Sequence, residues 1–391
     1  VLFNPNDATI SAMRRVSIRD RLRMTRSNLQ AGVVDRMVHA FAKVRWRFPD
    51  AQPERYDTVL LRDVPYRETG DASHTLDVYL PTRAAKPLPT VLYVHGGGFS
   101  MLSKETHRGM ALSYARRGFL VFIINYRLGP RHRFPAPLED ASLALQWVHA
   151  HCARFGGDPD RIALAGESAG GNLVTALAVA SSVRRPEPYA QRLFDAGVPI
   201  RAVISTYGFL DLEGYTHHMA HPRLHAVLKD VVLHCAASYV GVDVRAGCAA
   251  NPLASPLAVL EQCDRLDRPL PPFFADVGTR DILISDSRRL QAAVERLGST
   301  CVLHIAPGEI HGYDAMLWRP EAKRKWRAAT AFLGQHLART DGVHEADDGA
   351  DAIDEGETDR TDESHARLQS DVREIVQDPA RRKVTRLRRL G

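Results

Sequence analysis

The sequence predicts an α/β protein, a mostly parallel sheet with helices on both faces. Three observations predict it. Short apolar runs alternate along the chain with longer stretches of helical spacing, the pattern of repeated β-α-β units. Two of those runs, residues 90–94 and 119–125, are almost continuously apolar, as strands buried on both faces are. A third, 161–165, leads into Gly166-Glu167-Ser168-Ala169-Gly170 and then a run of small and apolar residues, so a serine sits on a tight strand-to-helix turn.

Taken in order, residues 1–50 read as helical and irregular, with Arg and Met frequent over 13–24. Val34, Met37, Val38, Phe41 and Val44 recur at near-helical spacing until Pro49 ends the stretch. This predicts an amphipathic helix packed as a cap over the rest of the molecule; its Arg/Lys-rich polar face makes a membrane surface the alternative. Strands follow over 58–64 and 74–80. The second alternates around Leu76, Val78 and Leu80, as a half-buried strand does. Between the runs at 90–94 and 119–125, residues 107–117 form a crossover helix. Residues 137–155 form another, with Leu138, Ala141, Leu145 and Val148 on one side. After the strand at 161–165 come a helix over 169–182 and a strand over 200–207.

The rhythm lapses over 211–266, where His-rich, Pro-containing and short helical pieces read as an insertion over the sheet edge. Strands at 272–278 and 301–305, a helix at 285–297 and a last helix at 321–336 complete the pattern. Residues 341–363 are dominated by Asp, Glu and Gly and carry too little apolar surface to fold. Leu368, Val372, Ile375 and Val376 mark one face of a short helix before an Arg-rich end. The predicted organisation is an N-terminal cap segment at 1–50, a catalytic domain at 51–340 with a cap insertion at 211–266, and a charged, disordered tail at 341–391.

Composition narrows the function classes. With 391 residues and 45% apolar content the chain is long enough for a large core. A net charge of +6 permits weak attraction to anionic surfaces. It does not point to specific nucleic-acid binding, because neither a recognition fold nor interleaved aromatic residues accompany the Arg-rich ends. Five cysteines are scattered with no C-x-x-C pair, which argues against a disulfide framework or a zinc site and for a reducing compartment. No apolar run approaches a membrane span and the first residues lack a signal-peptide core, so a cytoplasmic protein is expected. His217, His218, His221 and His225 have spacings that suit a metal, but Pro222 interrupts the helix that would align them; they read as an irregular cap segment. No metal or organic cofactor is predicted.

The chemistry gathers around Ser168. A serine hydroxyl is nearly inert at neutral pH until a base takes its proton. Gly166 and Gly170 keep side chains out of the crowded turn, and the Ala169 amide follows the nucleophile. Upstream, His95-Gly96-Gly97-Gly98-Phe99 leaves an apolar strand and offers the Gly97 and Gly98 amides as further donors for an oxyanion. His311, just past the last strand, is the candidate base. Asp281, after the strand at 272–278, is the candidate orienter of that histidine, with Asp276 and Asp286 as nearby alternatives. His304, inside the last strand, reads as structural. The order Ser…Asp…His is that of one serine-nucleophile architecture and not of the two common serine-protease folds. A neutral imidazole as base predicts activity rising through about pH 6–7.

These residues resemble the hormone-sensitive-lipase-like branch of the α/β-hydrolases, the bacterial carboxylesterases and lipases. The likeness lies in His95-Gly96-Gly97-Gly98-Phe99, Asn125-Tyr126-Arg127-Leu128, Phe134 through Asp140, Gly166 through Leu173, Asp281, and His311-Gly312-Tyr313, and spans roughly residues 60–338. It implies an α/β-hydrolase fold, a central mostly parallel eight-stranded sheet flanked by helices, with a helical cap built from 1–50 and 211–266. It also implies that Tyr126, Arg127, Glu139 and Asp140 support the glycine loop. Glu167 stands where the family usually has aspartate or threonine, and Asn125 where it often has aspartate; these departures bear on subgroup and pH optimum.

The resemblance implies a serine carboxylesterase acting on short- to medium-chain acyl esters through an acyl-enzyme. Its partner is a small hydrophobic ester, and it leaves room for a homodimer. Phe99, Tyr207, Phe209 and Leu210 are candidates for the acyl pocket, with a core role the alternative for Tyr207. An amidase or carbamate hydrolase with the same triad is the alternative activity. A hydrolase-like small-ligand receptor is the alternative from another class; such receptors have lost the histidine that His311 supplies here.

Overall fold

The computed structural model describes residues 18–214 and 226–339. The histidines at 217, 218, 221 and 225, the stretch 1–17 and the tail 341–391 lie outside the described residues. Eight strands form one sheet in the order β1-β2-β4-β3-β5-β6-β7-β8. They are β1 (Thr58–Pro65), β2 (Thr75–Pro81), β3 (Leu88–Val94), β4 (Leu120–Ile124), β5 (Gly157–Glu167), β6 (Ile200–Thr206), β7 (Phe273–Gly278) and β8 (Cys301–Ala306). β2 runs antiparallel to both β1 and β4, and every later pairing is parallel.

Alternate residues of the central strands feed two cores, because successive side chains point to opposite faces. Leu92, Val94, Phe122 and Leu164 pack under α3 (Ala136–His151) and α4 (Ala169–Ser182). Val91, Tyr93, Val121 and Ile123 pack on the other face with Met110 and Tyr114 of α2 (Arg108–Ala115) and with the C-terminal helix (Pro320–His336), through Trp326 and Phe332. The sequence pattern does not mark the short helix α5 (Pro188–Ala196), whose Tyr189, Leu193 and Phe194 are buried.

Two local expectations are corrected. β2 is not half-buried: Asp77 and Tyr79, on its polar phase, are as buried as Leu76 and Val78. Asp77 is accommodated because the equally buried Lys104 ammonium lies 2.7 Å from it, with Asp63 and Glu105 as further partners. The N-terminal helix α1 (Ile18–Arg45) does not turn its apolar stripe inward: Met37 is 67% and Phe41 71% exposed. Polar groups moor it instead. Asp35 accepts from the Leu102 amide at 2.7 Å, His39 Nε2 lies 2.9 Å from Ser103 Oγ, and Trp46 Nε1 donates to the Glu105 carbonyl.

Residues 226–262 provide α6 (Ala226–Val240), α7 (Val244–Ala250) and α8 (Pro256–Gln262). α6 lies directly over the glycine-rich loop. Its Tyr239 ring stacks on Phe99 with centroids 3.7 Å apart, and its His234 reaches Ser100 Oγ. Two further helices follow among the described residues, α9 (Ile284–Arg296) and α10 (Pro320–His336). No helix among the described residues is long and apolar enough to cross a membrane.

Candidate active site

Sheet register brings the two glycine-rich turns together. Val94, the last residue of β3, pairs with Gly166 near the end of β5, so the loop after β3 and the turn after β5 leave the sheet side by side. In parallel α/β sheets, sites form beyond these carboxyl ends. Ser168 occupies that turn at φ 54°, ψ −115°, a left-handed conformation that costs a non-glycine residue about 1–3 kcal/mol. The surroundings enforce it. The Ser168 amide donates to the Thr206 carbonyl at 2.9 Å, and the Phe209 amide donates to the Ser168 carbonyl. A Cβ on Gly170 would overlap the Val94 carbonyl, and one on Gly166 would lie 2.6 Å from the Gly170 carbonyl carbon.

His311 and Asp281 arrive from the loops after β8 and β7, which pair from Phe273–Cys301 to Gly278–Ala306. His311 Nε2 lies 3.0 Å from Ser168 Oγ, and His311 Nδ1 lies 2.9 Å from Asp281 Oδ2. The other Asp281 oxygen accepts from the Leu283 amide at 2.9 Å, which fixes the carboxylate. Of the three sequence candidates only Asp281 meets His311. Asp276 is bound by Tyr313 Oη and His304 Nδ1, and Asp286 accepts the Leu210 and Asp211 amides. Burial pushes the His311 pKa down, but the charge and hydrogen bond of Asp281, aided by Asp314 and Glu167, outweigh it, so the imidazole titrates above its ordinary value. Its side chain is 44% exposed, which softens the desolvation that opposes this direction.

Gly97 and Gly98 both have positive φ, 108° and 59°. Each is closely backed: a Cβ on Gly97 would strike the Met101 carbonyl, and one on Gly98 the Cys235 sulfur of α6. Among the described residues the amides of Gly97, Gly98 and Ala169 donate no backbone hydrogen bond, so three N–H groups stand free around the serine turn. Tyr126 Oη donates to the His95 carbonyl at 2.8 Å, and Arg127 holds Asp140 of α3 at 2.7 Å, so the segment after β4, tied to the start of α3, braces this loop.

Several contributors were not legible in the sequence. The Glu167 carboxylate accepts from the Gly96 amide and from Tyr93 Oη, and lies 2.9 Å from His107 Nε2. Burial pulls the His107 pKa down, yet the adjoining Glu167 charge raises it overall. The stacked His95 is held neutral: burial, then the His107 charge, lowers it to about 3. Asp314 is the second unforeseen group, accepting from Tyr207 Oη and, at 2.7 Å, from Lys325. No short-range spacing signals contacts that span 11 to 107 residues. Of the candidate pocket residues, Phe99, Tyr207, Phe209 and Leu210 are all buried; Tyr207 sits beside His311 with ring centroids 4.5 Å apart.

A mostly parallel sheet with a serine turn, a histidine and a carboxylate at the carboxyl ends of its strands defines a hydrolase of the α/β class. Comparison with known proteins agrees. A family model described as alpha/beta hydrolase fold matches residues 91–315. Carboxylesterase NlhH of Mycobacterium tuberculosis is 30% identical over 275 residues, covering 70% of this chain and 81% of that protein. An acetyl-hydrolase of Streptomyces hygroscopicus is 32% identical over 254 residues, 62% of this chain and 75% of its own. A solved bacterial heroin esterase superposes with a TM-score of 0.64 at 23% identity, over 85% of this chain and 96% of that one, a likeness of fold. The chain therefore belongs to the α/β-hydrolase family, in its bacterial carboxylesterase and lipase branch, and is an ester hydrolase.

Proposed function

We propose that this ester hydrolase works through an acyl-enzyme on Ser168 and takes small hydrophobic esters of short to medium acyl chain. The observation that carries the reading is the unbroken chain Ser168 Oγ, His311 Nε2, His311 Nδ1, Asp281 Oδ2, with links of 3.0 and 2.9 Å. Neutral His311 accepts the serine proton as Oγ bonds to the ester carbonyl carbon. The oxygen that gains charge is met by the free amides of Gly97, Gly98 and Ala169; one such donor contributes roughly 3–4 kcal/mol in comparable sites. The imidazolium, stabilised by Asp281, then protonates the departing alcohol as the C–O bond breaks. In the second half His311 takes a proton from water, the hydroxyl adds to the acyl carbon, and the acid leaves as the proton returns to Ser168.

In this reading residues 51–340 form the catalytic unit, and α1 with α6–α8 forms the cap. The preference for shorter chains is supported by the tight seal over the loop, where Phe99 stacks on Tyr239 and both are buried. The test is hydrolysis of 4-nitrophenyl esters from acetate to palmitate by the wild type and by Ser168→Ala. Turnover lost in the variant, with an optimum at the short end, is the expected result. Equal rates in both proteins would remove Ser168 from the chemistry and turn attention to amide substrates or to ligand binding without turnover.

A further inference from the structure

Seven of the twelve large apolar side chains exposed among the described residues fall between Leu29 and Phe48. Leu29, Val33, Met37, Phe41 and Val44 lie on one side of α1, within an arc of about 120° at roughly 100° per residue, and Phe48 follows the helix end. Met37 and Phe41 are more than two-thirds exposed. A patch this continuous on a folded surface marks a place where something docks.

The charges around it decide what. Between Arg26 and Arg47 the chain carries Arg26, Arg36, Lys43, Arg45 and Arg47 against a single carboxylate, Asp35. Asp35 is turned inward onto the Leu102 amide, and Arg45 is taken up by Asp50. Arg26, Arg36, Lys43 and Arg47 are exposed and form no ion pair with the described residues. Apolar side chains flanked by unpaired cations complement a surface that is apolar inside and anionic at its edge. A second copy docked on the same stripe would bring two sets of these cations together, which the same electrostatics opposes.

We propose that the outer face of α1 is a docking surface for anionic lipid membranes, with Leu29, Met37 and Phe41 entering the acyl boundary and Arg36 and Lys43 meeting the headgroups. The inner face of the same helix is bonded to Leu102 and Ser103, four and five residues beyond Gly98. A membrane bound at α1 therefore lies beside the loop that borders the serine, and an ester dissolved in the bilayer has a short way to travel.

The test is co-sedimentation of the full chain with vesicles of phosphatidylglycerol and phosphatidylcholine, and with phosphatidylcholine alone. Turnover of soluble 4-nitrophenyl acetate serves as the folding control. Binding to the anionic vesicles is expected, weakened by salt and reduced about tenfold or more by Met37→Glu with Phe41→Glu and, separately, by Arg36→Glu with Lys43→Glu, all with acetate turnover retained. Absence of sedimentation, or binding that both double variants leave unchanged, overturns the proposal. So does a fall in oligomer mass in Phe41→Glu without vesicle binding by the wild type, which would assign the stripe to a second copy. Ser168→Ala should bind vesicles like the wild type, so this result and the esterase test stand or fall separately.

Discussion

Glu167, the neighbour of Ser168 in sequence, accepts a hydrogen bond from the amide of Gly96, the residue that precedes Gly97 and Gly98. One side chain thus ties the serine turn to the loop that faces it. A glutamate reaches one methylene further than an aspartate would, and the carboxylate here also lies on Tyr93 and His107.

Removing that tie should loosen the site without emptying it. Glu167→Ala is expected to lower kcat about tenfold or more, through displacement of the glycine loop rather than loss of a reacting group. Glu167→Gln keeps an acceptor for the Gly96 amide and should retain most of the rate. Steady-state kinetics of the two variants side by side checks this, and equal losses would discard the positioning role.

The pH dependence follows from His311. In the proposed mechanism the base must be neutral, and Asp281 holds the imidazole pKa above its ordinary 6.5. Protonation on the acid side therefore removes activity, and kcat/KM should rise with pH through a midpoint above 6.5. Asp281→Asn removes the charge that raises the pKa, so any residual activity should show a lower midpoint, with kcat down by about 10³–10⁴-fold from loss of the favoured tautomer. A pH–rate profile of both proteins from pH 5 to 9 decides the matter.

Gly98 tests the proposed role of its loop in holding the oxyanion. Its φ is 59°, and a methyl group there would strike Cys235. Gly98→Ala is expected to cost about 10²-fold in kcat, the scale of losing one oxyanion donor. Cys235→Ala in the same background should recover part of it by opening room.

Lys104 tests stability. It and Asp77 are both fully buried and 2.7 Å apart, so Lys104→Met strands a carboxylate away from water. A loss of about 3–5 kcal/mol is expected from urea unfolding. Asp77→Asn with Lys104→Met should recover much of that.

The sheet was legible because β3, β4 and β5 are near-continuous apolar runs, and α4 because small residues follow the serine turn; its bounds, Ala169–Ser182, coincide with the expected ones. Ser168, Asp281 and His311 were legible through their positions just after strands, and the geometry brings all three together. What the pattern concealed depends on tertiary partners. Asp77 reads as a solvent-facing residue until Lys104, 27 positions away, is placed against it. The apolar spacing of α1 signals burial by itself, whereas the helix is moored by Asp35, His39 and Trp46. Glu167 and His107 lie 60 residues apart with no local signature, and α5 is too short for its periodicity to stand out.

Cys235 lies at the contact between α6 and the glycine-rich loop. Burial pushes its thiol up to about 12, and its sulfur rests against Gly98 beneath α6. A thiol buried in this way is shielded from alkylating reagents, and any separation of α6 from the loop would expose it. The labelling rate of Cys235, read by mass spectrometry with and without an ester product bound, therefore measures any separation of α6 from the glycine-rich loop.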